Sequence, residues 1–438
     1  MTPETILTRA RQFDFKQAAV SFLTKNMVTI MFVILSVAGL QISGMNALLY
    51  LSDIIARISR NSFLVLSLVI PVIAGMGLNF SIVLGAMAAQ AVIIFVTHWG
   101  VTGFAGILLC MALVTPLAML LGSLTGQLFN RTKGQEMITG LILGFFAAGW
   151  YQFIFLQLVG GLIPMDNRVL VLSSGVGIRT TVDLTGGLKY GLDGLLSLRF
   201  PLVLIIFGTC GLLYQAYRYF RPHLGITLAR LIPGSLVAVG AIVWGVSLWM
   251  SNSLIRNIRV PFATWLAILG LCAFIAFLSK TKLGQDLRSV GQDRHVAQVS
   301  GIPVDRVRVT AIVLSTVLAA WGHIIFLQNM GAFSTYGSYE QVGLYSIAAI
   351  LIGGATVTKA TIGQALLGVF LFHTLFIVAP AAGREIFGDA QIGEYFRVFV
   401  AYGVIGLTLA MHAWKLLLQR QQQRRAEERA ALARPRSA

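Results

Sequence analysis

"FATWLAILGLCAFIAFLS" (Phe262–Ser279) and "AIVLSTVLAAWGHIIFL" (Ala311–Leu327) are two runs of almost purely apolar side chains. Between them lies a long polar segment, "KTKLGQDLRSVGQDRHVAQVSGIPVDRVRVT" (Lys280–Thr310). Each run has about the 17–20 residues that a helix needs to cross the hydrocarbon core of a bilayer. The alternation recurs along the whole chain. With 57% hydrophobic and 11% charged residues, 27 Phe and 45 Gly, the composition lies outside that of soluble globular domains, and the mean hydropathy of +0.81 agrees. One or two such runs could be buried core helices, but so many cannot. The chain is therefore expected to be an all-α polytopic integral membrane protein with about 10–12 transmembrane helices. Spans are predicted at 26–44, 62–77, 80–97, 103–126, 135–158, 200–217, 231–250, 262–279, 309–328, 343–353, 361–380 and 395–417.

Basic residues set the orientation. If both termini are cytoplasmic, the segments 1–25, 127–134, 218–230, 280–308, 354–360 and the tail from Lys415 hold 23 of the 33 Lys and Arg. This satisfies the positive-inside rule. The net charge of +17 follows from it, and no nucleic-acid partner is required. Residues 1–25 carry no signal-peptide pattern and read as an amphipathic cytoplasmic helix on the membrane surface. The transmembrane domain is expected over 26–417. Residues 418–438 form a basic cytoplasmic tail suited to anionic lipid headgroups. Cys110, Cys210 and Cys272 sit in apolar runs as small hydrophobes, without a disulfide or metal spacing. The six histidines, at 98, 223, 295, 323, 373 and 412, do not pair at ligand spacing either, and His323 and His373 are expected to be packed and hydrogen-bonded. No nucleophile–base arrangement or Gly-x-x-x-x-Gly-Lys-Ser/Thr sequence occurs, so no enzyme is expected.

The 280–308 loop is the longest and most charged of the expected cytoplasmic connections. Gln292 to Val299 suit a short helix with the small Ala297 on its surface; Gly301 ends it and Pro303 delays a restart. Such a helix, held parallel to the membrane, would serve docking; a solvated connector is the other reading. The motif "TKLGQDLRSVGQDRHVAQVSGIPVDRVR" resembles the coupling loop of ABC importer permeases for branched-chain amino acids, simple sugars and nucleosides. Thr281, Gly284, Arg288, Val290, Gly291, Ala297, Gly301, Ile302, Val304 and Arg308 fill that family's positions. "RTKGQEMITGLILGFFAAG" (Arg131–Gly149) is similar to its nucleoside and simple-sugar branch. "AGMGLNFSIVLGAMAAQA" (Ala74–Ala91) resembles its broken second span, with Asn79, Phe80 and Ser81 replacing Asp-Leu-Ser. "AAILIGGATVTKATIGQALLG" (Ala348–Gly368) resembles a late glycine segment, with Thr358, Lys359 and Ala360 replacing glycines. The resemblance covers 26–158 and 262–380, whereas 160–260 matches poorly.

The resemblance implies a permease subunit of the bacterial inner membrane that moves a nucleoside or simple-sugar-like solute by alternating access. Its implied partners are a cytoplasmic ABC ATPase, a second permease subunit (homo- or heterodimer) and an extracytoplasmic solute-binding protein. ATP and Mg would be bound on the ATPase subunits and no cofactor by this chain. The implied ATPase-coupling residues are Gly291, Gln292, Asp293, Ala297, Gln298, Ser300, Gly301, Ile302, Val304 and Arg308. The alternative is an ion-coupled secondary transporter, which would need ionisable groups among the spans.

Two glycine-broken spans, "GMGLNFS" (75–81) and "GGATVTKAT" (353–361), point to a solute path, because irregular backbone at membrane depth must line a cavity or be covered by protein. Candidate path residues are Asn79, Ser81, Gln90, Gln152, Gln328 and Thr356. The amides Gln152 and Gln157, beside Trp150, Tyr151, Phe153 and Phe155, would suit an uncharged hydroxylated or heterocyclic solute, although a single amide more often serves helix–helix hydrogen bonding. Glu136 opens an apolar helix, where its charge favours the positive helix end. The outer segment 160–199 allows a small hairpin from "RVLVLSS" and "IRTTVDL". It is expected to form either a platform for a binding protein, with Asp166, Arg168, Arg179 and Asp183 as contacts, or a lid on its own subunit.

Overall fold

The computed structural model describes residues 26–167, 169–220, 228–251, 253–407 and 410. The amphipathic segment 1–25, Arg168 and the basic tail 418–438 lie outside the described residues. Each of the twelve predicted spans overlaps a helix among the described residues, although 408–409 and 411–417 of the last one lie outside them and 74–77 of the second are not helical. In chain order the helices are α1 (Met27–Ile42), α2 (Ala47–Ser67), α3 (Val69–Ile73), α4 (Ile82–His98), α5 (Gly103–Arg131), α6 (Glu136–Phe153), α7 (Phe200–Tyr219), α8 (Leu228–Met250), α9 (Phe262–Leu278), α10 (Lys282–Gln292), α11 (Arg294–Val299), α12 (Val304–Met330), α13 (Ser338–Ile352) and α14 (Ile362–Phe387). A further helical stretch, α15, covers 390–407. Among the described residues seven helices are long and apolar enough to cross a membrane, and an eighth results if α9 and α10, bent by 74°, are taken as one span. This is an all-α polytopic membrane protein.

The span expected at 62–77 begins much earlier, because α2 and α3 run together from Ala47 to Ile73. Asp53, Arg57 and Arg60 lower the local hydropathy and hide the helix from a hydropathy window. Helical periodicity nevertheless buries Ile54, Ile55, Ser59 and Ser62 on one face.

α12 is the central post, packed against α5, α2 and α4. Small residues allow the close approach. A Cβ on Gly122 would lie 2.9 Å from the Val313 Cα, and one on Gly126 would lie 2.9 Å from the Val309 Cα. From the other side, a Cβ on Gly85 of α4 would stand 2.6 Å from the Thr316 carbonyl oxygen. α14 packs on α1, α2 and α13, while α7 and α8 pack chiefly on each other. Two short antiparallel pairings tie the outer loops to this bundle. β1 (Thr181–Asp183) pairs with β4 (Ala332–Ser334), aligning Val182 with Phe333, and β2 (Ser197–Arg199) pairs with β3 (Arg259–Pro261). The expected local hairpin is thus mostly replaced by a long-range pairing. Only a single bridge, Val171 to Ile178, joins its two arms, because Val182 is drawn into a buried cluster with Phe333, Leu184 and Leu188.

Candidate functional site

After α9 the chain bends away from the bundle axis at Thr281, whose Oγ1 accepts the Gly284 N–H at 3.3 Å and caps α10. α10 buries Gly284, Leu287 and Val290 and exposes its polar side. Its last turn rests on the backbone of 73–75: a Cβ on Gly291 would fall 2.1 Å from the Ile73 carbonyl oxygen, so nothing larger than glycine fits. Asp293 then breaks the helix and caps the next one, its Oδ1 accepting the N–H groups of His295 at 2.8 Å and Val296 at 3.0 Å. The single helix expected from Gln292 is therefore α11, starting at Arg294. It stops at Gly301 (φ +81°), where the Ile302 N–H returns to the Ala297 carbonyl at 3.1 Å.

Two residues expected to touch a partner are internal. Ala297 is only 2% exposed and packs towards the bundle rather than outwards. On α11 the outward apolar surface belongs instead to Val296 and Val299, 60% and 77% exposed. Three residues apart, they share one helix face. The sequence reading missed them. The signal was available in the spacing, since an α-helix that turns Ala297 inwards turns its neighbours out. Gln292, Asp293, Gln298, Ser300 and Gly301 are exposed around this pair, and Ile302 and Val304 are half-buried at its edge.

Arg308 is fully buried, and its partner is Glu136. One Glu136 oxygen receives Arg308 Nη2 at 2.7 Å and Arg294 Nη2 at 2.8 Å; the other accepts the Gly134 N–H at 3.0 Å. Arg308 Nη2 also donates to the Phe129 carbonyl at 3.1 Å, and Arg294 Nη2 reaches the Gly75 carbonyl at 3.4 Å. Glu136 is thus a structural clamp as well as a charge at the start of α6. It joins the starts of α6, α11 and α12 to the end of α5 and to the 74–81 break. A buried carboxylate between two guanidinium groups resists separation, because removing either charge strands the other away from water.

The candidate path residues do not converge on one cavity. Asn79 and Ser81 are buried in the break: Asn79 Oδ1 accepts the Ser81 N–H at 3.1 Å and the Ser81 hydroxyl, and Asn79 Nδ2 donates to Ser315 on α12 at 3.2 Å. Gln90 is fully buried on α4, with both side-chain polar atoms unpartnered among the described residues. Gln152 donates to the Tyr339 hydroxyl at 3.5 Å, outside the 550 Å³ cavity that Trp150, Tyr151 and Phe155 line. That cavity is almost wholly apolar, so amide and aromatics do not form one polar site. Gln328 Oε1 accepts the N–H groups of Leu192 and Asp193 at 3.4 Å. Thr356 is exposed in a tight turn and bridged to Lys359. The turn is held by Gln364 Nε2 donating to the Gly354 carbonyl at 2.8 Å. His323 and His373 are packed as expected, yet neither nitrogen of His323 nor Nδ1 of His373 has a hydrogen-bond partner among the described residues.

On the outer side, Asp166, Arg179 and Asp183 are exposed, while Met165, Leu170, Ile178, Val182 and Leu184 pack beneath them. The segment is therefore seated on its own chain with a polar outer face. The Thr185 side chain and N–H (2.8 Å) hold the Asp183 carboxyl below its ordinary value.

Residues 195–409 match the family model described as "Branched-chain amino acid transport system / permease component". The match includes 195–260, which motif comparison had left out. The nucleoside ABC transporter permease protein NupB of Lactococcus lactis subsp. cremoris (strain MG1363) is 29% identical over 154 residues, 35% of this chain and 40% of that protein. The L-arabinose ABC transporter permease protein AraH of Azospirillum brasilense is 24% identical over 171 residues, 38% of this chain and 46% of the relative. The fructose import permease protein FruG of Bifidobacterium longum (strain NCC 2705) is 32% identical over 110 residues, 25% and 31% of the two chains. The chain spans less than half the length of each of these relatives. No solved structure matches significantly.

Proposed function

We propose that this chain, whose residues 195–409 match that family model, is a member of that permease family and the membrane-spanning subunit of an ATP-binding-cassette importer for a nucleoside or simple sugar. It sits in the bacterial inner membrane as a multi-pass protein. Cytoplasmic ATPase subunits, carrying ATP and Mg, supply the energy. A second permease subunit completes the path, and an extracytoplasmic binding protein delivers solute to the polar face of 160–199.

The observation that carries this reading is α11: a short helix, capped by Asp293, offering Val296 and Val299 to the outside while Arg294 and Ala297 fix it to the bundle. An apolar pair in a polar ring is a docking surface for a soluble partner. Displacement of α11 reaches Glu136 through Arg294, and Glu136 hands it to α12 through Arg308. In parallel, Gly291 presses on the 73–75 backbone, at the edge of the break that Asn79 links to Ser315 of α12. Movement of the partner ATPases is thereby converted into a shift of α12 against α2, α4 and α5, and so into alternating access.

Purification of the tagged chain from its own host in mild detergent, with and without Val299→Arg, tests the reading. A P-loop ATPase should accompany the native chain and be lost from the variant, with the melting temperature of the permease unchanged. A chain that purifies alone and still drives uptake into liposomes under an ion gradient would overturn it.

A further inference from the structure

α12 carries the chain about 40 Å from the coupling loop, at ~1.5 Å per residue, and its far end borders a second cavity. This cavity of about 470 Å³ has a mixed lining rich in polar groups, unlike the apolar one beside α6. Arg60 of α2, Asp193, Asn329, Tyr190, Ser197 and Arg259 are among its lining residues. Its size lies within the ~300–1,000 Å³ typical of small-molecule sites.

Three features of the lining bear on what the cavity can hold. Arg60 lies on a membrane-length helix, yet no carboxylate pairs with it among the described residues. Its Nη1 meets only the Met330 sulfur at 3.1 Å, its guanidinium stands 6.0 Å from the Phe326 ring, and its buried Nε has no partner. The Asp53 carboxylate acts on Arg60 only at longer range, and a cation on such a helix with no carboxylate in contact is costly and marks a pathway. Asp193, buried opposite, is held in place by Thr264 and by Asn329 Nδ2 at 2.6 Å, and its carboxylate retains acceptor capacity. Tyr190 is the only non-glycine described residue with positive φ, at +57°. That conformation is unfavourable for a bulky side chain. It is imposed by two backbone bonds, Tyr190 N–H to the Gln328 carbonyl at 2.9 Å and Gly194 N–H to the Tyr190 carbonyl at 2.7 Å, and it leaves the ring half-exposed at the rim.

We infer that this cavity is the outer receiving site of the permease and that it takes a neutral, hydroxylated ring of pentose or nucleoside type. The inference rests on the transport reading above and deepens it. Arg60 supplies N–H donors to the acceptor oxygens of the solute, Asp193 accepts from its hydroxyls, and Tyr190, with Lys189 Nζ 5.3 Å from its ring centre, stacks on the solute ring with the face away from that cation. An anion would meet Asp193 and a cation would meet Arg60, whereas a polyol uses both. Arg259, on the exposed rim, donates to Ser197 at 3.5 Å, and its charge is screened by water.

The test uses the full chain carrying Ser197→Cys in right-side-out membrane vesicles, labelled from outside with an impermeant maleimide. D-ribose, L-arabinose and uridine are the probes, with ribose 5-phosphate as the charged comparison. A probe present at twice its dissociation constant should slow labelling about threefold. The protection should vanish in Arg60→Met and in Tyr190→Gly. Because glycine accepts positive φ freely, the second variant removes the ring while keeping the fold, so its loss of protection cannot be blamed on misfolding. Four results would overturn the inference: no labelling from outside, no protection by any probe, protection that survives both variants, or stronger protection by ribose 5-phosphate than by ribose. The readout needs no ATPase. Protection without a co-purifying ATPase would sink the importer reading and leave the cavity standing, and the reverse pattern would sink the cavity alone.

Discussion

At the scale of single residues, the buried charges decide most. Glu136 reads in the sequence as an acid at the start of an apolar helix. Its two guanidinium partners lie 158 and 172 positions away, beyond any local pattern. Glu136→Ala should cost about 3–5 kcal/mol, since it strands the fully buried Arg308. Thermal unfolding in detergent would read this as a lowered midpoint. Replacing Glu136 and Arg308 together with leucine should recover much of the loss, because no fully buried charge is then left alone. Arg294 is one-third exposed and can turn to water, so Arg294→Met should cost far less than Arg308→Met in the same assay.

At the scale of elements, α11 and the α5–α12 pair behave oppositely towards substitution. On α11, Ala297→Arg forces a long cation into a closed contact and should unfold the loop, seen as faster proteolysis at 280–303. Val296→Ser should leave proteolysis unchanged and weaken ATPase recruitment. On α5, Gly122 and Gly126 admit the α12 backbone, so Gly126→Val should push the helices apart at a cost of about 1–3 kcal/mol. A lowered melting temperature, with no change in which proteins co-purify, would be the sign. Here the sequence was half legible. The glycine spacing on α5 announces a close helix contact, but not which helix supplies it.

At the scale of the whole molecule, topology is the measurable quantity. α12 runs from the coupling loop to the outer pairing of β4 with β1, which puts 300 and 174 at opposite ends of the molecule. Ser300→Cys should therefore label only after permeabilisation, and Ser174→Cys in intact cells. Labelling of both from one side would contradict the two-sided arrangement. Positive-inside counting supplies the direction of this expectation, and packing alone does not.

Bilayer physics acts locally, so hydropathy along the chain determined much by itself: a run long enough to span hydrocarbon must be helical, whatever its neighbours. Hence the apolar helices, the helix after Gln292 and its stop at Gly301 were legible from "FATWLAILGLCAFIAFLS" outwards. Only α2, which carries Asp53, Arg57 and Arg60 on a partly buried helix, escaped that rule over its first half. What the tertiary structure alone decided is which polar groups meet. It turned Ala297 inwards and Val296 and Val299 outwards, set Thr356 in an exposed turn, replaced a local hairpin with the pairing of Val182 to Phe333, and gathered Arg60, Asp193 and Tyr190 around one cavity. Those outcomes depend on contacts between residues far apart in the chain, where the cost of an unpaired buried charge or polar group selects the partner and no sequence period records the choice.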